Sequence, residues 1–226
     1  MLLGTKQRLR RVTLPLARSL ASAGVHPDQI TAAGLALSAL AALCLALGEA
    51  QLSILPLLLS LLCDLLDGDV ARLRPRVISS FGAFFDSTAD RIAETLVFTG
   101  LILGKNAHAG GLGTLWVLLW VLALAGAYLV SYTRARAEGL GLTCRIGVAD
   151  RSVRMVLVFL MLLAGWKASG YFLATLSLLS WYTVGQRIRH VRGQALRAAG
   201  PVLAAGCSSA DQSRGNDSNA CIVSER

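Results

Sequence analysis

Residues 63–94 read CDLLDGDVARLRPRVISSFGAFFDSTADRIAE and lie between stretches that are almost wholly apolar. This window holds Asp64, Asp67, Asp69, Asp86, Asp90 and Glu94, in a chain with only 13 acidic residues. Their spacing is helical. At about 100° per residue, Asp64, Asp67, Gly68 and Ala71 share one narrow helix face. Gly82, Asp86, Asp90 and Glu94 follow one another at i,i+4 and form a stripe on a second helix. Two such helices joined by a short turn aim four aspartates at one point. Asp69 lies about 140° from Asp64 around its helix, which predicts a local pairing role instead. A charged side chain at a membrane centre costs about 2.5–3.5 kcal/mol on insertion scales, so the cluster calls for a counter-charge. Carboxylate oxygens suit a hard divalent cation.

The rest of the composition points to a membrane. Hydrophobic residues make up 54% of the 226, charged residues only 15%, and the mean hydropathy is +0.59; few soluble domains of this size carry so little charge. The net charge of +9 would suit nucleic acid, but the basic residues sit at the ends of apolar spans and aromatics are few. That pattern fits membrane topology and argues against a nucleic-acid partner. Cysteines 44, 63, 144, 207 and 221 show no paired spacing, which argues against a zinc or disulfide framework. Cys221 is too far from the end for a prenylation box, and Pro15 and Arg18 interrupt the early apolar run expected of a signal peptide.

In chain order, residues 1–24 predict an amphipathic helix on an anionic membrane surface, with Lys6, Arg8, Arg10, Arg11 and Arg18 against Leu9, Val12, Leu16 and Leu20. A merely basic leader explains the same charges. Asp28 or Thr31 is positioned to cap the next helix. Residues 25–198 then predict six spans, at about 30–47, 52–72, 80–103, 114–135, 153–169 and 171–187, with a loop at 105–113 and a Gly- and Arg-rich linker at 139–151. From residue 199 to 226 the composition shifts to Gly, Ser, Asn and Asp, predicting a disordered tail. The fold class expected is thus all-α, an integral membrane bundle. The N-terminus, the 72–76 turn, 134–154 and 187–197 hold 17 of the 22 Lys and Arg. This places both termini and the aspartates at the cytoplasmic face of the cell membrane.

The wording Asp64-x-x-Asp67-Gly68-x-x-Ala71-Arg72, followed by Gly82-x-x-x-Asp86-x-x-x-Asp90, resembles the signature of the CDP-alcohol phosphotransferase family. Leu73 to Phe81 make the intervening turn one residue longer than is usual there. The resemblance implies a metal-dependent transfer of a phosphatidyl group from CDP-diacylglycerol to the hydroxyl of a polar alcohol, releasing CMP, by a homodimer in the membrane. It implies Asp64, Asp67, Asp86 and Asp90 as ligands of Mg2+ or Mn2+, two ions per site, with Asp90 as general base. Asp64, Gly68, Ala71, Arg72, Gly82 and Thr31 would then bind the nucleotide. Gly68, Ala71 and Gly82 lack bulk and let a nucleotide approach the backbone, although small residues also serve helix packing in membranes. Arg72 offers a bidentate phosphate contact.

A second stretch bears on the acceptor. Ser131-Tyr132-Thr133-Arg134-Ala135-Arg136-Ala137-Glu138 and Asp150-Arg151-Ser152-Val153-Arg154 look like the branch that uses inositol 1-phosphate, though Asp150 and Val153 stand where that branch often shows Glu. Arg134, Arg136, Arg151 and Arg154 would hold the phosphate of such an acceptor; positive-inside bias explains the same arginines. Glycerol 3-phosphate needs a similar anion pocket and is the alternative acceptor. Glu94 reads equally as a partner of the metal ligands or as a deeper polar contact, and His26, His108 and His190 as solvated residues. A cation transporter would spread its acidic groups through the bilayer depth, whereas these concentrate at one edge.

Overall fold

The run of apolar residues between turn signals becomes helix nearly everywhere. The computed structural model describes residues 13–74, 79–109 and 113–216, and among them all regular structure is helical. Seven helices follow in order: α1 (13–22), α2 (Pro27–Ala46), α3 (Ala50–Leu73), α4 (Ser80–Ala109), α5 (Thr114–Gly139), α6 (Arg151–Ala164) and α7 (Ser169–Asn216). A single 3-10 turn at Trp166–Ala168 joins α6 to α7. By length and hydropathy, α2 and α5 are each apolar enough to cross a membrane. Residues 1–12 of the helix expected at 1–24 lie outside the described residues.

Several boundaries differ from those the sequence predicts, each for a local reason. His26, not Asp28 or Thr31, caps α2: its Nδ1 accepts from the Asp28 amide at 3.3 Å, and Gln29 Oε1 accepts from the His26 amide at 3.0 Å. This reciprocal arrangement is a capping box in which an imidazole replaces the usual hydroxyl. The His26 side chain stays 44% exposed, in keeping with the expected solvated position, while it caps the helix. Helix α4 runs to Ala109, through much of the segment read as a loop, and α5 reaches Gly139. Helix α6 stops at Ala164, where Gly165 adopts φ +82°, a left-handed conformation that ends helices. The expected span at 153–169 is therefore shorter, at 14 residues. Helix α7 continues to Asn216, past residue 199, where disorder was expected. Alanine and leucine recur on either side of Gly200 and Pro201 and favour helix there. Residues 217–226 lie outside the described residues.

Helix α2 packs on α3 and α4, α5 packs on α7, and α6 touches both α3 and α7. A continuous apolar core fills one part of the bundle, around Leu45, Leu57, Phe98, Leu101, Trp120 and Met161. Phe98 and Trp120 meet edge to face at 5.9 Å. A smaller cluster of Ala17, Ile30, Leu66 and Val70 ties α1 to α2 and α3. The outer surface carries many large apolar side chains, among them Leu47, Leu52, Leu115, Tyr171 and Leu178.

Polar side chains gather where the C-terminal part of α3, the early turns of α2, α4 and α6, and the last turns of α5 converge. The linker before α6 is fastened there by α7. Thr183 Oγ1 accepts from the Ala149 amide at 3.0 Å, Arg187 Nε donates to the Ile146 carbonyl at 2.9 Å, and Gln194 Nε2 donates to the Thr143 carbonyl at 2.7 Å. Gly147 passes beneath Thr183 and Arg187 at φ +134°, a backbone conformation and a closeness that only glycine accepts.

Candidate active site

Helical spacing puts Asp64 and Asp67 on one face of α3 and Asp86 and Asp90 on one face of α4, and packing brings those faces together. One carboxylate oxygen from each of Asp64, Asp67 and Asp86 lies within 4.8 Å of the others. Asp67 is buried and accepts from Thr31 Oγ1 at 2.8 Å; Thr31 also donates to the Pro27 carbonyl at 3.2 Å. Thr31 thus orients a carboxylate from the neighbouring helix. Asp90 stands slightly apart from the expected four-way cluster. It is paired with Arg151, whose Nη1 also donates to Asp64 Oδ1 at 2.7 Å. Four carboxylates and one guanidinium leave a strong excess of negative charge in a half-buried place. All the donors are hard oxygens, and three converge, so the residues fit a divalent cation such as Mg2+ or Mn2+.

A cleft of about 240 Å³ opens on one side of the aspartates, and Thr31, Asp67, Gly68, Ala71, Arg72 and Gly82 line it. All but one of the residues expected at the nucleotide are therefore brought to one surface. The exception, Asp64, lines a narrow recess with Asp67, Asp90 and Arg151. A Cβ on Gly82 would stand 3.1 Å from Asp28 Oδ1 and 3.3 Å from Ser79 Oγ, so glycine keeps that wall thin. The longer turn has not moved Gly82 out of the cleft. Arg72 is half exposed and steadied by Asp69 Oδ1 at 2.7 Å. Asp69 is buried and also accepts from Thr13 Oγ1 at 2.8 Å, so its role is local pairing, and it ties α1 to α3.

A larger cavity, about 520 Å³, opens on the other side of α4. Arg91, Arg134, Arg151, Arg154 and Arg187 line it, beside Asp86 and Asp90. The structure thus brings three of the four expected acceptor arginines together. Arg136 is the exception: two residues from Arg134 on a helix is about 200° of rotation, and Arg136 faces a separate groove with Tyr132, Ile188 and Arg192.

The three are not equivalent. Arg134 pairs with Glu138 at 2.9 Å with both side chains about half exposed, a weak i,i+4 contact in water. Arg154 is only 1% exposed and grips Glu94 with two parallel bonds, Nε to Oε1 at 2.6 Å and Nη2 to Oε2 at 2.8 Å. Its Nη1 donates to the Ala149 carbonyl at 2.8 Å. Glu94 is therefore the partner of a buried arginine. Sequence reasoning missed Arg187, which is 2% exposed and bonded to Asp150 Oδ1 at 3.1 Å and to the Val130 carbonyl. As the last residue of the expected span 171–187, Arg187 reads from the sequence only as topology. Arg91, beside Asp90, also lines the cavity and carries no signal in the sequence pattern.

The chain is similar to known proteins over most of its length. Over 184 residues the chain is 36% identical to the archaetidylinositol phosphate synthase of Pyrococcus horikoshii, covering 81% of this chain and 90% of that one. The crystal structure of Mycobacterium tuberculosis phosphatidylinositol phosphate synthase with CDP-DAG bound superposes with a TM-score of 0.70 at 30% identity, covering 80% of this chain and 94% of that one. The same enzyme in complex with manganese and citrate gives 0.69 at 29% identity, covering 79% and 88%. The CDP-alcohol phosphatidyltransferase family model matches residues 24–185, most of the chain and both aspartate helices, and the chain belongs to that family of membrane-associated, metal-dependent enzymes.

Proposed function

We propose that this enzyme transfers a phosphatidyl group from CDP-diacylglycerol to a hydroxyl of inositol 1-phosphate, releasing CMP. The observation that carries the acceptor is the arginine-lined cavity of about 520 Å³ that opens beside Asp86 and Asp90. A dianionic phosphate must be held close to a diphosphate that is itself negative, and guanidinium groups do this bidentately. The names of the relatives support the same reading.

In this reading the cytidine diphosphate lies in the cleft lined by Gly68, Ala71 and Gly82, with Arg72 on phosphate. Asp64, Asp67, Asp86 and Asp90 would hold a divalent cation pair, which would supply charge neutralisation for the diphosphate. Thr31 fixes the Asp67 carboxylate for that task. Arg134 and Arg151 orient the phosphate of the acceptor, and the buried Arg154–Glu94 pair and the buried Arg187 hold the cavity wall. Asp90 takes the proton from the attacking hydroxyl. The new bond forms from that oxygen to the lipid phosphorus, and the bond from the same phosphorus to the oxygen of CMP breaks.

The site lies at the cytoplasmic edge of a six-span domain of residues 25–198, with residues 1–24 on the membrane surface, both termini cytoplasmic and two copies in the working assembly. The distribution of Lys and Arg supports that orientation, as does the apolar outer surface. The test uses purified protein with labelled CDP-diacylglycerol and four acceptors: inositol 1-phosphate, glycerol 3-phosphate, serine and free inositol. Release of CMP with inositol 1-phosphate above the other three, lost in EDTA and restored by Mg2+ or Mn2+, is the expected result. A preference for glycerol 3-phosphate would move the enzyme to the alternative acceptor. A preference for an uncharged alcohol would overturn the role of the arginines.

A further inference from the structure

We propose that Arg151 couples the two halves of the active site, so that divalent metal and a phosphorylated acceptor each strengthen the binding of the other. The inference rests on the acceptor reading above and adds to it a single mobile charge. Arg151 Nη1 contacts Asp64 Oδ1 at 2.7 Å and also pairs with Asp90. Both carboxylates belong to the set that fits the metal, and a guanidinium and a metal ion compete for the same oxygens. Arg151 also lines both spaces: the narrow recess with Asp64, Asp67 and Asp90, and the large arginine-lined cavity. Among the described residues its buried Nε has no hydrogen-bond partner, so its present position leaves one strong donor unsatisfied there.

Its backbone is held from outside, because the Ala149 amide donates to Thr183 Oγ1 at 3.0 Å and Arg187 contacts Asp150 at 3.1 Å. Only the side chain needs to move. When metal takes the carboxylates, the guanidinium is released toward the cavity; when a phosphate enters the cavity, it offers that guanidinium a bidentate partner and frees the carboxylates for metal. Linkage requires the two effects to be equal in size. Arg134 provides the contrast: it lines the same cavity, but its partner is Glu138, not an aspartate of the signature.

The experiment measures binding, not turnover. Calorimetry gives the affinity for inositol 1-phosphate with and without Mn2+, and electron paramagnetic resonance of free Mn2+ gives the metal affinity with and without inositol 1-phosphate. Wild-type protein is expected to show the same mutual enhancement in both directions, on the order of 5–150-fold, and none with free inositol. Arg151→Gln is expected to bind Mn2+ more tightly in the absence of acceptor, which also reports that it is folded, and to lose most of the enhancement. Arg134→Gln is expected to weaken inositol 1-phosphate but to keep the enhancement. Independent binding in the wild type, full enhancement in Arg151→Gln, or equal loss in Arg134→Gln would each overturn the proposal. Failure of inositol 1-phosphate to bind, with glycerol 3-phosphate binding and coupled through Arg151, would overturn the acceptor assignment alone and support the exchange.

Discussion

Replacing Arg154 by Ala separates a structural arginine from a substrate-binding one. The Arg154 side chain is 1% exposed and that of Glu94 is 5%. The substitution leaves the Glu94 carboxylate, and the Ala149 carbonyl beside it, buried without their donors. Removing one member of a buried pair typically costs about 3–5 kcal/mol, most of it the penalty on the charge left behind. For a chain of this size, 1 kcal/mol moves Tm by about 2–4 °C, so the expected loss is roughly 6–20 °C. Thermal unfolding in detergent, followed by tryptophan fluorescence, measures it, since Trp120 sits in the core against Phe98. The double variant Arg154→Met, Glu94→Leu should recover much of the loss, because neither side chain then carries a charge into the interior. If Arg154→Ala kept the wild-type Tm and raised only the acceptor KM, the pair would not be holding the wall and Arg154 would be a free ligand for the acceptor.

Thr31→Val removes the donor to Asp67 and should lower Mn2+ affinity about 10–100-fold, as loss of partners behind metal ligands generally does; titration with Mn2+ checks it. Gly100→Ala places a Cβ about 2.9 Å from the Ala42 Cα, backbone that cannot swing aside, and should cost about 1–3 kcal/mol by forcing α2 and α4 apart, read as a lower Tm. Asp69→Asn should weaken the hold on both Thr13 and Arg72, giving a raised KM for the CDP-linked lipid with the Mn2+ affinity unchanged.

Much of the site was legible because its grammar is local. Asp64, Asp67, Gly68 and Ala71 share a face by helix geometry alone, and so do Gly82, Asp86 and Asp90; no tertiary knowledge is needed to see two stripes. What periodicity cannot supply is the partner of a residue far along the chain. Arg154 and Glu94 are 60 positions apart, and nothing in either segment says that one arginine is consumed by the other. The same limit hid Arg187, whose neighbours Val130, Ile146 and Asp150 come from another helix and a linker. Arg136 failed for the opposite reason: a charge cluster was read as one surface, although positions 134 and 136 face different sides of α5. The end of α6 was set by a glycine in a left-handed conformation, which competes locally with an otherwise uninterrupted apolar run.

The cleft lined by Gly68, Ala71 and Gly82 and the arginine-lined cavity share, among the described residues, only Ala83 and Asp86, so one turn of α4 is the partition between them. Two compartments separated by so thin a wall are filled together, not by turns. Steady-state rates measured against both substrates should therefore give intersecting double-reciprocal lines, with no exchange of labelled CMP into the CDP-linked lipid when the acceptor is left out. The entering and departing oxygens then stand on opposite sides of one phosphorus, and a chirally labelled lipid phosphate should emerge with its handedness inverted.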